Sequence, residues 1–199
     1  MSGVFVAIDG PNGVGKSAAV KNTAEILESQ GLKVLATREP TNTPLGRLAK
    51  ALDGKLSSEE AYACLIAADR REHAAFIRKI LSETDVVLSD RYLPSSLVLN
   101  VARGVSEEFV LAIHNKLHPP ELTVILTADA KQLKERLRYR NGSSFPGEPC
   151  ISRQEENKRY EDLISRLPML GYPTRHIDTS TMKASEVAIM VAAIIRVIR

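Results

Sequence analysis

Cysteine is scarce in this chain of 199 residues. Cys64 and Cys150 are the two present, far apart and without metal-ligand spacing, so reduced thiols in a cytosolic protein are expected and a cysteine-held metal is not. Charge of one sign is scarce too. The formal net charge is +3 and the basic residues are spread along the chain, which gives no reason to expect a nucleic-acid partner. Long apolar runs are missing. The most apolar late segment, residues 187–195, falls short of the ~20 residues needed to span a bilayer and is expected to pack on the body of the domain. The apolar stretch near the N-terminus is short and runs into Asp9, unlike a signal peptide. There is no internal repeat and no long linker. The expectation is a cytoplasmic protein without a membrane role, formed as a single domain over residues 1–199 with enough chain to bury a real core.

What is present is alternation. Apolar runs of strand length at 4–9, 33–38, 85–90, 122–127 and 174–178 alternate with helical patterns at 15–30, 45–52, 58–82, 107–116, 130–139, 153–167 and 184–198. Near-continuous Val, Ile and Leu in the runs suits parallel strands buried on both faces. Ser57 or Ser58, followed by Glu59 and Glu60, looks like a helix start, and Gly31 like a helix stop. The pattern predicts a three-layer α/β domain with a parallel sheet, whose ligands bind beyond the carboxyl ends of the strands. Polar residues cluster at those ends: Asp9 through Ser17, then Arg38-Glu39-Pro40, then Asp90-Arg91-Tyr92.

After the first strand come Gly10-Pro11-Asn12-Gly13-Val14-Gly15-Lys16-Ser17-Ala18, which hold the pattern G-x-x-x-x-G-K-S. Glycines at both ends let the backbone curl so that successive N–H groups face phosphate oxygens. Lys16 is placed to reach the outer phosphates and Ser17 to ligate Mg²⁺, while the helix that starts here points its positive end at the anion. The chain is therefore expected to grip a nucleoside triphosphate.

Phosphoryl transfer also needs a metal and positive charge where charge moves. Asp90 ends an apolar strand, the place for a second acidic group that orients Mg²⁺. Arg91 beside it and Arg38 after the second strand suit bidentate bonds to a phosphate. Arg70 and Arg71 lie on the long helical pattern in Ala67-Ala68-Asp69-Arg70-Arg71-Glu72-His73; the apolar stretch before them suggests that Arg70 reaches inward, and His73 reads as structural or exposed. Residues 140–151, rich in Gly, Pro and Ser and flanked by arginines, read as a mobile lid.

Four blocks, Val6 to Ala18, Thr37-Arg38-Glu39-Pro40, Ala67 to His73 and Ser89-Asp90-Arg91-Tyr92-x-x-Ser95-Ser96, occur in an order and at a spacing that resemble the thymidylate kinase family. Ala102-Arg103-Gly104, the strand within 119–127 and the arginine-flanked lid fit as well, so the resemblance covers most of the chain. It implies a P-loop nucleoside monophosphate kinase with five parallel strands, a helical lid at about 138–153, and a homodimer. The implied reaction moves the γ-phosphoryl of MgATP to dTMP or a closely related deoxynucleotide.

Carried over to this sequence, Gly10, Asn12, Gly13, Val14, Gly15, Lys16, Ser17, Ala18 and Arg138 would contact ATP. Ser17 and Asp90 would serve Mg²⁺. Asp9, Asn12, Arg38, Glu39, Pro40, Ile66, Arg70, Arg91, Ser96 and Asn100 would form the acceptor site, with Arg38, Arg70 and Arg91 on its phosphate and Ser96 and Asn100 facing its base. Lys16, Asp90 and Arg91 would be catalytic. Gly13 supplies no extra P-loop arginine, so the transition-state arginine is expected from the lid region, where Arg140 is assigned and Arg138 and Arg153 stay as candidates.

Three departures fall in the acceptor site. Asn12 stands where the family usually has Asp or Glu, Ile66 where it has a base-stacking phenylalanine, and Asn100 where it has glutamine. Together they raise a second reading, a kinase of a different or modified nucleotide. A third reading, a nucleotide-dependent switch or binding module, rests on Asn115-Lys116-Leu117-His118, which superficially resembles the guanine-reading Asn-Lys-x-Asp. It has His118 in place of the aspartate and lies at a helix end.

Overall fold

Apolar side chains on both faces of a strand need cover on both sides, and this sheet has it. The computed structural model describes residues 3–138 and 151–199. Strands β1 (Val4–Asp9), β2 (Val34–Arg38), β3 (Val86–Asp90), β4 (Leu122–Thr127) and β5 (Thr174–Asp178) form one parallel sheet in the order β2-β3-β1-β4-β5. Every residue of β1, β3 and β4 is buried, which is why their sequences read as unbroken apolar runs; the edge strands β2 and β5 are mixed.

Eight α-helices are seen among the described residues: α1 (Lys16–Glu28), α2 (Pro44–Leu52), α3 (Glu59–Ile80), α4 (Leu93–Ala102), α5 (Glu107–Ile113), α6 (Ala130–Arg138), α7 (Arg153–Ile164) and α8 (Ala184–Ile198). Successive side chains of a strand point to opposite faces. Val4, Val6 and Ile8 of β1 accordingly pack with Leu27 of α1 and Val187, Val191 and Ile195 of α8. Phe5 and Ala7 face the other way, toward Ile77 of α3, Leu97 of α4, Val110 of α5 and Leu163 of α7. These are the three layers that the alternation predicts.

Local signals set several boundaries. The Ser58 side chain accepts from the Ala61 N–H at 3.1 Å and starts α3. Gly31, at φ +85°, stops α1, and the Leu32 N–H returns to the Leu27 carbonyl at 3.2 Å. Helix α5 ends at Ile113, short of the expected 116, and Lys116 adopts φ +60° in the turn that follows. Asn115 to His118 thus lie past a helix end and not at a strand end. Helix α7 ends at Ile164, and a short 3₁₀ helix, Leu167–Leu170, follows.

Helix α4 was not expected from the sequence. Its first turn is capped from outside: Asp9 Oδ2, at the end of β1, accepts from the N–H groups of Tyr92 and Ser95, both at 3.0 Å. Pro94 in that turn needs no donor there. Among the described residues, no helix is long and apolar enough to cross a membrane.

Chain connections leave β1 toward β2 and β3 on one side and later reach β4 and β5 on the other. The carboxyl end of β1 therefore lies where the winding changes direction, the position at which an open α/β sheet forms its ligand crevice.

Candidate active site

Two glycines shape the loop that leaves β1. Gly10 has φ +144°, and a Cβ there would lie 2.2 Å from the Leu126 carbonyl oxygen of β4, so no side chain fits. Gly15 has φ +107° and directly precedes α1. The loop curls back on itself: Lys16 Nζ donates to the carbonyls of Gly10 at 2.8 Å and Pro11 at 2.9 Å. Burial, assisted by the Arg91 cation, pushes the Lys16 ammonium down to about 7, while Asp90, Asp9 and Glu156 pull the other way.

Ser17 Oγ donates to Asp90 Oδ2 at 2.5 Å. The other carboxylate oxygen, Oδ1, is buried with no hydrogen-bond partner among the described residues. A hydroxyl and a carboxylate with a spare oxygen form a hard-oxygen donor set, suited to Mg²⁺ once phosphate oxygens and water complete its shell. The residues present fit the metal that this fold implies.

Arg91 follows Asp90 with φ +81°, and its N–H bonds to the Ile8 carbonyl at 2.9 Å, extending the β1–β3 ladder by one residue. Its guanidinium donates to Ser95 Oγ at 2.8 Å and to Asn12 Oδ1 at 2.5 Å, and lies 4.0 Å from Asp9 Oδ1. Asp9 itself is 0 % exposed. Besides the two α4 N–H groups, it accepts from the Gly10 N–H, Ser95 Oγ and Tyr160 OH, at 2.9, 2.7 and 2.9 Å. Expected as an acceptor contact, it is committed inside the protein and positions Ser95 and Arg91.

The Arg-Glu-Pro block meets α3 below the crevice. Arg70, 2 % exposed, donates from Nε to Glu39 Oε2 at 2.6 Å and from Nη1 to Ser96 Oγ and His114 Nε2, both at 2.7 Å. Burial and the Arg70 cation push His114 down to about 3. It is therefore neutral at ordinary pH: Nε2 accepts from Arg70, and Nδ1 carries the proton given to the Val110 carbonyl at 2.7 Å. His73 fills the second side of Glu39, with Nδ1 at 2.9 Å from Oε1 and Nε2 at 2.9 Å from Thr37 Oγ1. It is structural and buried. Arg71 points outward, to the carbonyls of Ile113 and Asn115.

Placement of the remaining expected residues is uneven. Ser96 and Asn100 lie one turn apart on α4, and Asn100 is 5 % exposed with a buried Nδ2 that has no partner among the described residues. Ile66 on α3 and Pro40, after a cis peptide bond, are half-buried. Arg38 is exposed at the end of β2, in register with Asp90. Gly13 and Val14 complete the loop, and Ala18 is exposed on the first turn of α1. The Arg138 side chain and Arg140 lie outside the described residues, whereas Arg153 lies inside them and donates to Glu156 Oε2 at 2.9 Å.

Several participants escaped the sequence reading. Asp69 holds the β2–α2 loop, accepting from Thr41 N–H at 2.8 Å, Thr41 Oγ1 at 2.5 Å and Thr43 Oγ1 at 3.1 Å. Arg136 ties α6 to the P-loop through the Val14 carbonyl at 3.1 Å and to Thr179 Oγ1 at 2.9 Å. Glu156 on α7 reaches Asn12 in the P-loop itself. Arg70, by contrast, reaches inward as expected: with Ala63, Ala67, Ala74 and Ile77 it completes the buried stripe of α3 at helical spacing.

A P-loop with lysine and serine in place, a strand-end aspartate against that serine, and arginines gathered at the same sheet edge define a P-loop phosphotransferase. Comparison with known proteins narrows the class. A family model described as Thymidylate kinase matches residues 8–169. The chain is 39% identical over 201 residues to a probable thymidylate kinase of Pyrobaculum aerophilum, covering 98% of both chains. It is 41% identical over 152 residues to one of Pyrococcus abyssi (72% of this chain, 74% of that one) and 31% identical over 198 residues to one of Thermococcus kodakarensis (94% and 97%). The chain belongs to the thymidylate kinase family, and with it to the ATP-dependent phosphotransferases that act on nucleoside monophosphates.

Proposed function

We propose that this chain phosphorylates dTMP, or a deoxynucleotide closely related to it, with MgATP as donor. One observation carries the reading: Lys16 and Ser17 from one stretch of chain and Asp90 and Arg91 from another converge at the end of β1, with Ser17 Oγ 2.5 Å from Asp90. In the reaction an oxygen of the acceptor 5′-phosphate attacks the γ-phosphorus as the bond to the β–γ bridging oxygen breaks, giving the nucleoside diphosphate and ADP. The attacking oxygen is already ionised, so no general base is required, and catalysis rests on alignment and charge.

The loop N–H groups and Lys16 hold the donor phosphates, and Arg91, gripped by Ser95 and Asn12, orients the acceptor phosphate. Arg38, at the neighbouring strand end, adds positive charge there. Ser17 and Asp90 would hold the Mg²⁺, which would supply charge neutralisation on the transferred group. Arg70, expected on the acceptor phosphate, is bonded instead to Ser96, and Asn100 lies one turn further along α4, so we read these three as the base end of the pocket, with donors suited to base carbonyls. The transition-state arginine comes from the segment around residues 138–153.

We read residues 1–199 as one kinase domain acting in the cytoplasm as a homodimer, without nucleic-acid or membrane partners. Leu48 on α2 and Phe76 on α3 are exposed apolar side chains on helices that pack together, which supports a dimer face there.

ADP release in a coupled assay across a panel of nucleoside monophosphates tests the reading. Turnover is expected with the highest kcat/KM for dTMP; no turnover with any acceptor would overturn it. The half-buried Ile66 and the Asn100 Nδ2, without a partner among the described residues, favour a second acceptor, and a higher kcat/KM for another nucleotide in the same panel would select it.

A further inference from the structure

Arg70 is gripped by three acceptors of different kinds: the Glu39 carboxylate at 2.6 Å, the Ser96 hydroxyl at 2.7 Å and the His114 imidazole at 2.7 Å. The imidazole is the odd member, since a protonated ring would repel the guanidinium. We propose that His114 is a positioning residue for the acceptor base: by accepting from Arg70 it fixes the guanidinium so that its remaining N–H groups meet a base carbonyl, and the pocket thereby selects a 4-oxo pyrimidine over a 4-amino one. The inference rests on the phosphotransfer reading and on the base end assigned above.

The partners of the ring leave it one protonation state. A backbone carbonyl only accepts, so the 2.7 Å contact of Nδ1 with the Val110 carbonyl puts the proton on Nδ1. A guanidinium only donates, so Nε2 keeps its lone pair for Arg70 Nη1. Burial and the Arg70 charge favour the same neutral ring. The residue is mounted firmly. Its own N–H bonds to the Leu111 carbonyl at 3.2 Å, where α5 ends. Arg71, next to Arg70 on α3, donates from Nη2 to the carbonyls of Ile113 at 2.8 Å and Asn115 at 3.2 Å. Two adjacent arginines thus hold one turn, the first through a side chain and the second through its backbone.

What the grip leaves over decides the ligand. Nε and Nη1 of Arg70 are spent on the three acceptors, and Cζ lies 5.7 Å from the Tyr92 ring centroid. The two N–H groups of Nη2 have no partner among the described residues, although Arg70 is 2 % exposed. Asn100 Nδ2, one turn beyond Ser96, is buried and likewise without one. The bonded acceptors are turned to Arg70, and the groups left for a base are donors. A carbonyl oxygen satisfies them. An exocyclic amino group sets donor against donor and leaves buried N–H groups unpaired, which is costly. Without His114, Nη1 keeps Ser96 alone and the planar fork loses one of the bonds that fix its direction.

The test compares kcat/KM for dTMP with that for 5-methyl-dCMP, two acceptors that differ only at C4 and N3 of the base. His114→Leu removes the acceptor, His114→Gln offers one through Oε1, and Arg71→Met loosens the same turn while leaving the ring in place. The preference for dTMP is expected to fall about tenfold or more in His114→Leu, the effect of losing a hydrogen bond to a buried charge. It is expected to return to within about threefold in His114→Gln and to stay within about twofold in Arg71→Met, with KM for ATP within about twofold throughout.

A role in packing alone would lower the melting temperature and slow both acceptors alike, leaving the preference where it was. An unchanged preference in His114→Leu, no recovery in His114→Gln, or an equal fall in Arg71→Met would overturn the proposal. If His114→Leu fails to fold, nitrogen NMR of the unmodified protein decides, with His114→Gln identifying the ring. At about pH 5, where an unperturbed imidazole is charged, the ring is expected neutral with its proton on Nδ1, and its Nε2 signal should move differently with dTMP and with 5-methyl-dCMP. A proton on Nε2, or the same response to both, would sink the idea. No turnover with any nucleoside monophosphate would overturn the functional reading and this inference with it, whereas turnover that favours the amino-bearing base, or that ignores His114, strikes this inference alone.

Discussion

The proposed donor side of the site is written in one stretch, Gly10 to Ser17, whereas the proposed acceptor side draws on a network of Glu39, Arg70, Ser96, His114 and Glu156 from separate elements. On the donor side most contacts are backbone geometry: three glycines at positive φ, a helix start, and a lysine bonded within the loop. On the acceptor side they are side chain to side chain, spanning 31 residues between Glu39 and Arg70 and 144 between Asn12 and Glu156. The first kind of site is fixed as soon as its segment folds. The second exists only when the whole sheet and both helical layers are in place, so its residues are coupled to stability as well as to chemistry.

Lys16→Met separates the two sides most sharply. It should lower kcat by about a hundredfold to a thousandfold, the scale for removing one preorganised charge donor at a developing anion. Stability should not fall. The folded protein holds the Lys16 ammonium down at about 7, below its unfolded value, so from the unfolded value down to about 7 the fold loses stability as pH falls. Removing the lysine removes that burden, and the urea midpoint at pH 7 should be equal or higher. A clear drop in midpoint would show that the donor side also supports the fold.

Glu39→Gln probes the other side. Arg70 and His73 both close on that carboxylate, so the substitution leaves a buried guanidinium short of its countercharge and should cost about 3 kcal/mol. Denaturant unfolding measures it, and the KM for the acceptor should rise while that for ATP barely moves. Equal effects on both substrates would mean that the two sides are not separable.

This contrast also explains what could be read in the sequence. All five strands were legible, because burial on both faces leaves unbroken apolar runs, and their ends agree to within a residue. The P-loop, and Asp90 as a strand-end carboxylate, were legible for the same local reason, whereas the bond between Ser17 and Asp90 spans 73 residues and appears only in the fold. Helix α4 was not, because its cap is Asp9, which lies 83 residues from Tyr92, and nothing near Leu93 announces a start. His114, Arg136 and Glu156 were illegible likewise: each looks like an ordinary helix-surface residue until the chain is folded against its partner. Asp9 shows the converse. Its place in the motif is plain in the sequence, but its bonds to Tyr92, Ser95 and Tyr160 emerge only in the fold.

The smallest expected effect lies in the pH dependence of donor binding, and it tests whether the donor side acts through charge alone. Lys16 is held down to about 7 by burial and by Arg91, against Asp90, Asp9 and Glu156. A bound triphosphate favours the ammonium and raises that value, so above pH 7 ATP must bind together with a proton. Affinity should then fall as pH rises past 7, by at most about tenfold per unit, and level off below it. Calorimetry at pH 8 in two buffers of different ionisation enthalpy counts the protons taken up. Phosphate oxygens ionise near pH ~6 and release protons on binding a cationic site, but they do so equally in Lys16→Met. The difference between the two proteins therefore isolates the lysine: close to one proton at pH 8, shrinking toward zero by pH 6. No difference at pH 8 would mean that the ammonium is already formed before ATP arrives, and that the two carbonyls beneath it, with the surrounding carboxylates, outweigh the burial.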